Sequence, residues 1–593
     1  MINLQLKLKS EIKDAFEKLY NYKCSEEKIS IDATPKNFQG FYTLVIFPHL
    51  KNLKSSPEKV GKKIGEYLKE KSKIVSDYNL VKGFLNLDLS QDFLKSLFKK
   101  INESQNWGVN SNKDLEVMIE FSSPNTNKPL HLGHLRNIFL GHSISKIHDA
   151  LGYKTHKVQI INDRGIHICK SMIAWKLYGK NSSPSKDGIK GDKYVGNYYV
   201  LFEKEQKKQL KKLLDSGLNK ESAENKTQIM KKAIDLLQKW ENKDKSTLEL
   251  WRTMNQWVYE GFESTYNCIG VSFDKNYYES DTYLLGKKNI EDGLSKKIFY
   301  KDDDGSVWVN LEKEGLDNKI LLRSDGTSVY MTQDIGTAIK RFKDYPNIKK
   351  QVYTVGNEQD YHFKVLFLIL KKLGFSWADN LFHLSYGMVD LPTGKMKSRE
   401  GVVVDADDLL EEMSETAKNI SKELGKLDDY DEDQKHQIYE TIGLGALKYF
   451  ILKVDPKKRI LFDPKESVDF QGNTASFIQY SYARIQSIIR GINFESTNQK
   501  YNRPLNEKEK ELIKQLEIFP STIQIAAANH NPGHIANYLY DLVKSFNSFY
   551  QSEPILKSAL IDKKSFRVDL CRSVGYTIKN ALGLLGIGVA DRM

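Results

Sequence analysis

The chain has 593 residues, which is too long for one hydrophobic core and is typical of roughly three to five domains. Hydrophobic residues make up 40% and charged residues 28% of the composition, which excludes a wholly disordered chain. The formal net charge of +13 is compatible with a polyanionic partner such as a nucleic acid, and equally with a lysine-rich solvated surface.

The cysteines lie far apart in the sequence, and no two have the short spacing of a metal-binding pair. This spacing argues against both a zinc site and a disulfide framework, so we expect reduced thiols and no protein-bound zinc. The four positions are Cys24, Cys169, Cys268 and Cys571.

The sequence shows no pattern of a targeting or membrane segment. Charged residues interrupt the first turns, unlike the basic head and apolar stretch of a signal peptide. The longest uncharged apolar run, residues 365–370, is far shorter than the roughly 20 residues that span a bilayer. We therefore expect a cytoplasmic protein that does not contact a membrane.

The first 112 residues alternate two kinds of hydrophobic pattern. Helical periodicity covers residues 6–20 and 57–71, and short strand patterns cover 40–47 and 80–87. The mixture predicts a small N-terminal α+β domain over 1–112.

The next segment has the order strand, helix, strand. An apolar strand at 115–121 leads through a polar loop to an amphipathic helix at 130–151, which Gly152 closes, and a second strand covers 154–161. This order predicts an α/β fold, a Rossmann-like doubly wound parallel sheet, for a catalytic domain at 113–405.

The remaining segments complete this domain plan. Lysine- and glutamate-rich helices predict a helical insertion at about 179–281, and strand patterns at 307–311, 328–331 and 352–355 predict the second half of the sheet. A helix is expected at 361–373. Residues 406–467 are interpreted as a helical connection, and 468–593 as an all-α terminal bundle.

The strongest local motif lies between the first strand and its helix, at residues 122–134. Pro129 has the fixed φ that begins a helix, and the free amides of a first turn favour an anion such as phosphate. His131 and His134 share one face of that turn, and Gly133 between them suggests close approach of a ligand to the backbone. Considered alone, two histidines at this spacing are more often ordinary surface or core residues.

The tetrapeptide His131-Leu132-Gly133-His134 resembles the signature of class I aminoacyl-tRNA synthetases. The stretch at 120–125, with Lys128 three residues before the first histidine, looks specifically like the arginyl-tRNA synthetase family. The resemblance implies that His131 and His134 are catalytic and bind ATP together with Gly133, with Mg²⁺ carried by the ATP phosphates.

Class I synthetases carry a second basic motif on a loop, and residues 394–401 match it in a degenerate form. Cations there would stabilise the charge that develops on pyrophosphate, although a solvated basic turn is the alternative. The resemblance implies that Lys128 shares this catalytic work with Lys395 and Lys397, and that Ser398 binds ATP. Arg399 is a further candidate.

Recognition of arginine requires acceptors for a planar cationic fork. Glu120 closes an apolar strand and is costly to bury without a cationic partner, which the ligand could supply. Asp334 is also explained by a favourable helix dipole. By resemblance, the guanidinium group is bound by Glu120, Tyr330 and Asp334, and the α-amino and carboxylate groups by Asn125 and Gln359.

Three further groups of residues resemble the family. Gly387 and Met388 are expected to contact adenine through backbone groups, and His362 either contacts the adenylate or caps a helix. The stretches at 472–480 and 483–485 are similar to the start of an anticodon-binding domain, which implies tRNA contacts by Tyr480 and Arg484. The end of the chain resembles the family as well, with Met593 as a further tRNA contact.

The resemblance implies an ATP-dependent ligase that joins L-arginine to its tRNA, tRNA(Arg), through an arginyl-adenylate, and it suggests a monomer. Two alternatives remain open. One is a class I synthetase for another amino acid, such as cysteine or glutamine, which the missing cysteine spacing and the paired carboxylates disfavour. The other is a catalytically silent relative that only binds tRNA.

Overall fold

The computed structural model describes residues 4–35, 37–110, 114–390, 404–424, 427, 430–492, 503–558 and 560–593. Within these ranges no helix is long and apolar enough to cross a membrane.

The N-terminal segment combines helices with a four-stranded antiparallel sheet of order β1-β2-β4-β3. Helix α3 shows how its sequence specifies it, because the Ser56 side chain caps the helix and Pro57 occupies its first turn. The elements are α1 (Leu4–Tyr20), β1 (Ile31–Ala33), β2 (Tyr42–Val45), α2 (Leu50–Leu53), α3 (Pro57–Lys71), β3 (Val75–Val81), β4 (Phe84–Leu89) and α4 (Gln91–Asn102).

The single strand expected at 80–87 is wrong, since the chain reverses in its middle. Lys82 and Gly83 both have positive φ, +48° and +81°, and Val81 pairs with Phe84 across them. Two left-handed residues form the tight turn of a β-hairpin, whose twist matches the flanking strands. The alternating hydrophobic pattern continues through the turn and conceals it.

Residues 116–386 contain a five-stranded parallel sheet of order β12-β11-β5-β6-β7, which we call the central sheet. Met118, Val158, Tyr277 and Ile348 come from four neighbouring strands and form one buried cluster. The first elements of this region are β5 (Glu116–Glu120), α5 (Leu132–Ala150), β6 (Lys154–Ile161), α6 (Ile166–Tyr178), α7 (Pro184–Asp187), α8 (Gly191–Asp215), α9 (Lys220–Lys226), α10 (Gln228–Glu241), α11 (Lys245–Cys268) and β7 (Lys275–Tyr278).

The helical insertion expected at about 179–281 extends too far. Its helices α7 to α11 are present, but β7 lies inside the predicted range and pairs in parallel with β6. Four residues are too few for a clear periodic pattern, so the sequence did not reveal this edge strand of the central sheet.

The second half of the catalytic region contains a separate antiparallel sheet of order β10-β9-β8. The strand expected at 307–311 lies there and not in the central sheet, and 328–331 leads into a helix. The elements are α12 (Glu279–Thr282), α13 (Gly286–Ser295), β8 (Phe299–Lys301), β9 (Val307–Val309), β10 (Lys319–Leu322), α14 (Tyr330–Asp344), β11 (Ile348–Gly356), α15 (Asp360–Lys372), β12 (Leu381–Tyr386) and β13 (Val389–Asp390).

In the described residues after 403, the regular elements are helices and one short strand that pairs in parallel with β13. Contacts within the chain define two compact units: 1–108 with 481–522 and 538–580, and 109–480 with 523–537 and 581–593. The elements are α16 (Ala406–Leu424), α17 (Glu432–Leu452), β14 (Ile460–Leu461), α18 (Pro464–Ser467), α19 (Ala475–Arg490), α20 (Glu507–Asn529), α21 (Gly533–Ser552) and α22 (Ile561–Leu584).

His530 supports a prediction about acid stability. Its ring stacks on Phe382 at 4.0 Å between centroids, and burial, the Lys350 charge and His148 lower its pKa to about 3. In the unfolded chain His530 takes up a proton near pH 6.5, whereas in the folded chain it does so only at much lower pH. The free energy of unfolding is therefore unaffected by His530 above pH 6.5 and decreases as the pH falls below that value.

We therefore expect His530→Asn to show a shallower loss of unfolding free energy than the parent between pH 6.5 and 5, by up to about 1.4 kcal/mol per pH unit. Asparagine suits this position because its φ is +49°. Urea denaturation at several pH values measures the difference. Parallel pH profiles for the two proteins would contradict the assignment.

Candidate active site

The first turn of α5 holds the two histidines of the motif in a capping arrangement. His131 is the N-cap residue, and its Nδ1 accepts the Gly133 N–H at 3.1 Å, while His134 Nδ1 accepts the His131 N–H at 3.1 Å. The two rings lie 3.8 Å apart between centroids. The helix begins at Leu132, so the expectation that Pro129 begins it is wrong; Pro129 lies in the loop before the cap.

These hydrogen bonds fix the protonation of both rings. Each Nδ1 accepts, so in the neutral ring the proton is on Nε2, which can donate outward to a ligand. Burial and the Lys128 charge lower the pKa of His131 to about 3, and burial with the His131 and Lys128 charges holds the pKa of His134 well below its usual range. Both histidines are therefore neutral donors at neutral pH.

A local contact explains why position 133 is a glycine. A Cβ at this position would lie 3.0 Å from Cε1 and 3.1 Å from Nδ1 of His131, which is tighter than ordinary contact. The missing side chain thus makes room for the capping imidazole. This requirement accounts for the glycine whether or not a ligand approaches the backbone.

Lys128 lies beside the histidines at the rim of a cavity of about 360 Å³. His131 from the cap, Lys193 from α8 and Asp405 also line it. Gly196 of α8 makes this closeness possible, since a Cβ there would lie 2.7 Å from Pro129 Cδ. The cavity combines cations with the outward face of the first turn of α5.

The loop between β5 and α5 has a strained backbone. Ser122 and Ser123 both have left-handed φ, +67° and +48°, which is uncommon for non-glycine residues. Asn137 of α5 stabilises the loop, accepting the Ser122 N–H and donating to Thr354 O at 2.6 Å. The helix thus fixes the carboxyl ends of β5 and β11 together.

Glu120 is buried and already has a cationic partner within the chain. Arg341 of α14 donates to its Oε2, and Ser123 Oγ donates to Oε1 at 3.1 Å. The side chains of Arg341 and Glu120 are only 2% and 7% exposed. An internal guanidinium group therefore supplies a cationic partner for Glu120, and the expected contact of Glu120 with the substrate stays a prediction.

Asp334 lies in the second turn of α14, partly exposed, and contacts His362 of α15 at 2.6 Å between Oδ2 and Nε2. His362 does not cap its helix, whose N-cap residue is Gln359. Burial and the charges of Glu120 and Asp334 raise the pKa of Tyr353, and the Arg341 charge opposes this rise. Both carboxylates therefore lie near the Tyr353 hydroxyl group.

The other residues expected to bind arginine lie at the surface of the same region. Tyr330 is 76% exposed at the start of α14, and Asn125 and Gln359 are exposed as well. Asn125 forms a parallel bridge with Asn162 beyond the ends of β5 and β6. These side chains are accessible to a small ligand at the carboxyl edge of the sheet.

Glu279 is a candidate that the sequence did not reveal. It follows β7 directly, at the same edge of the sheet as Glu120. Burial, opposed by Arg164, and the charges of Asp163 and Asp334 raise its pKa to about 7. A nearby cation would relieve this cost, so Glu279 adds a second acceptor close to Asp334.

The backbone of Gly387 and Met388 is engaged within the protein. Gly387 N–H donates to Pro456 O at 2.9 Å, and the Met388 carbonyl accepts from Arg136 Nη1 at 3.0 Å. The expected adenine contact cannot use these two groups. The Met388 side chain, 48% exposed, remains accessible.

The basic motif at 394–401, with Lys395, Lys397, Ser398 and Arg399, lies outside the described residues. Among those that are described, no group of three or more His, Cys, Asp or Glu side chains is arranged to hold a metal ion.

The residues expected to contact tRNA have internal partners. Tyr480 packs edge-on against Phe470. Arg484 donates to Asn547 at 2.8 Å and lies 4.9 Å from the centre of the Tyr550 ring. Met593 is only 9% exposed, which leaves little of its side chain for an RNA contact.

Comparison with known proteins covers the whole chain. Residues 97–463 match the model of the class I (R) tRNA synthetase catalytic domain, 6–89 the arginyl tRNA synthetase N-terminal domain, and 478–593 the DALR anticodon binding domain. The arginine–tRNA ligases of Flavobacterium psychrophilum and Bacteroides fragilis are 55% and 50% identical to it, with all of each chain covered. The chain belongs to the arginyl-tRNA synthetase family.

Its fold is that of solved arginyl-tRNA synthetases. The enzyme of Thermus thermophilus has a TM-score of 0.78 at 22% identity, with all of both chains covered. The resemblance and the fold class predicted from the sequence are confirmed: a parallel-sheet catalytic domain of the class I synthetases with an N-terminal α+β domain and a helical C-terminal domain. Membership of the arginyl-tRNA synthetase family excludes the alternative of a cysteine or glutamine synthetase.

Proposed function

We propose that the protein attaches L-arginine to tRNA(Arg) in two steps through an arginyl-adenylate, and that it releases pyrophosphate and AMP. The observation that carries this proposal is the identity of half or more of its residues, over the full chain, to arginine–tRNA ligases. The protein acts as a monomer in the cytoplasm.

ATP binds with its phosphates at the first turn of α5. The Nε2 donors of His131 and His134 are neutral and preorganised, so they stabilise charge that develops at the α-phosphate without taking part in proton transfer. Lys128 supplies a positive charge beside them, and Lys395, Lys397 and Ser398 contact the phosphates from the loop. Mg²⁺ arrives as part of the nucleotide substrate.

Arginine binds at the carboxyl edge of the sheet with its guanidinium group between Asp334 and Glu279. Asp334 is partly exposed and Glu279 has a raised pKa, so both gain from a cation, whereas Glu120 is neutralised by Arg341. Glu120 therefore shapes the pocket from below. Tyr330 covers the guanidinium group, and Asn125 and Gln359 bind the α-amino and carboxylate groups.

The chemistry needs no covalent enzyme intermediate. The arginine carboxylate attacks the α-phosphate and pyrophosphate leaves; the terminal ribose hydroxyl of the tRNA then attacks the acyl carbon and AMP leaves. The protein contributes mainly orientation and charge stabilisation. The N-terminal domain and the terminal bundle hold the tRNA, with contacts from the partly exposed side chains of Tyr480 and Arg484.

Arginine-dependent exchange of labelled pyrophosphate into ATP tests this function. We expect exchange with arginine and none with lysine, measured with and without tRNA(Arg). Charging of tRNA(Arg) with labelled arginine tests the second step. Absence of both activities would point to a relative that binds tRNA without catalysis.

Asp334→Asn tests the arginine pocket. The amide keeps the shape and loses a charge-assisted hydrogen bond, so we expect kcat/KM for arginine to fall about tenfold to a hundredfold with the KM for ATP nearly unchanged. Asp292→Asn, an exposed carboxylate of α13, is the control and should leave both values unchanged. Equal effects on ATP and arginine would count against a specific role in arginine binding.

A further inference from the structure

A second polar cavity of about 380 Å³ lies in the catalytic unit away from the ATP site. It is open to solvent and is lined by the second half of α5, by residues 267–270, by α17 and by the terminal segment 583–588. His142, which lines it, is ten residues beyond the start of α5, or about 15 Å along the helix axis. We call it the basic cavity.

Three basic side chains converge there: His142, Lys146 and Lys448. A Cβ built on Gly586 would lie 3.4 Å from His142 Nε2 and 3.6 Å from Lys448 Nζ, so these two nitrogens face one point. None of the described residues that line the cavity carries a carboxylate. Glu440 and Asp407, whose charges raise the pKa of Cys268 in the cavity lining, line a neighbouring groove.

Burial of the Lys448 ammonium group costs free energy. It is 2% exposed and donates to Ile269 O at 2.7 Å and Gly586 O at 2.6 Å, two neutral acceptors for a group with three donors. Burial and the Lys146 charge lower its pKa to about 7. A buried cation with only neutral partners gains much from an anion.

The imidazole ring of His142 is also buried in the lining of this cavity. It is 7% exposed, and its Nδ1 has no hydrogen-bond partner among the described residues. Burial and the charges of Lys448, Lys146 and Lys157 lower its pKa to about 3. Its Nε2 is the nitrogen that faces Lys448 Nζ across Gly586, so with the proton on Nε2 the neutral ring can donate to an anion held between the two side chains.

We propose that the basic cavity binds a phosphate group outside the ATP site. A phosphate takes hydrogen bonds from several donors at once, and lysines are common point-charge partners for it. Gly586 leaves room for the His142 ring, since a Cβ there would lie 3.0 Å from His142 Cδ2, and so lets His142 and Lys448 approach each other. The phosphate comes either from a free anion, such as inorganic phosphate or pyrophosphate, or from the backbone of bound tRNA.

Exchange of backbone amide hydrogens tests the basic cavity. The catalytic centre is saturated with arginine and a non-hydrolysable ATP analogue, so that added phosphate does not act there. We expect inorganic phosphate or pyrophosphate at about ten times its Kd to slow exchange of peptides over 267–270 and 583–588 about tenfold. Lys146→Met and His142→Gln should remove this protection. Lys176→Met, an exposed lysine of α6 outside the cavity, should retain it.

The tRNA arm rests on the proposed function and uses the salt dependence of tRNA(Arg) binding. If a backbone phosphate occupies the cavity, tRNA protects the same peptides and Lys146→Met lowers the log–log salt slope by about one. If only a free anion binds, the slope is unchanged and phosphate alone protects. Charging activity of the unaltered protein, measured separately, reports whether the proposed function itself fails.

The proposal is overturned if neither phosphate, pyrophosphate nor tRNA protects 583–588, or if protection persists equally in Lys146→Met and His142→Gln. Thermal unfolding of each variant identifies a fold defect. His142→Gln is the second variant because glutamine has a hydrogen-bond donor and a length similar to that of histidine, so we expect this variant to fold. The result is then decided by at least one folded variant.

Discussion

Arg341→Met is expected to lower the free energy of unfolding by about 3–5 kcal/mol, because it leaves Glu120 buried without a counter-charge. The ion pair is almost wholly buried, and Arg341 also packs 5.1 Å and 5.6 Å from the ring centres of Tyr277 and Tyr353. Urea denaturation at neutral pH measures the loss. Arginine-dependent exchange, measured on the folded fraction, should show a raised KM for arginine.

The double variant Arg341→Met with Glu120→Gln separates charge from packing. Removing both charges should restore much of the stability, since a buried pair is often replaceable by uncharged groups of similar volume. Lys340→Met is the matched control on the same helix; its pair with Asp344 is more exposed and should cost at most about 1 kcal/mol. A double variant as unstable as Arg341→Met would mean that packing and not charge dominates.

Strong periodic patterns predicted much of the fold. The strand at 154–161 and the helix at 57–71 match the structure residue for residue, and the helix expected at 130–151 begins two residues late because His131 caps it. Local sequence did not reveal the turn at Lys82 and Gly83. It also could not show that β9 belongs to a separate sheet, since strand pairing depends on distant partners.

The candidate site shows the same limit. The motif at 131–134 predicted a phosphate site through the geometry of one helix turn, which is a local property. The partner of Glu120 is 221 positions away in the sequence, so no local pattern indicated that Arg341 neutralises it. Glu279 escaped notice because its strand has only four residues within a segment that otherwise reads as helical.

Burial has a second consequence for the arginine pocket. A substrate guanidinium group needs accessible carboxylates, and Glu120 is enclosed whereas Asp334 is partly exposed. The internal Arg341 thus prevents Glu120 from being a free negative charge beneath the pocket. Under the proposed function, selectivity for a cationic side chain would depend on Asp334 and Glu279, and the Asp334→Asn comparison tests the contribution of Asp334.

Lys128→Ala is expected to reduce arginine-dependent pyrophosphate exchange by about 10²–10³-fold, the range found when one preorganised electrostatic group is removed from a transition state. Lys128 lines the same cavity as His131, and its charge depresses the pKa values of both His131 and His134. Under the proposed function, its loss would remove a positive charge from the place where the leaving pyrophosphate gains negative charge. Rapid-quench measurement of adenylate formation isolates this step from tRNA charging.

Two variants make the Lys128 result specific. Lys128→Arg keeps the charge in a different shape and should retain more activity than alanine. Lys193→Ala changes another lysine of the same cavity, whose ammonium group already pairs with Asp408, and should alter exchange by no more than a few fold. Near-normal exchange by Lys128→Ala would assign the required positive charge to the loop lysines Lys395 and Lys397. Loss of exchange in Lys128→Ala, with exchange retained in Lys193→Ala, would place the required charge beside the first turn of α5.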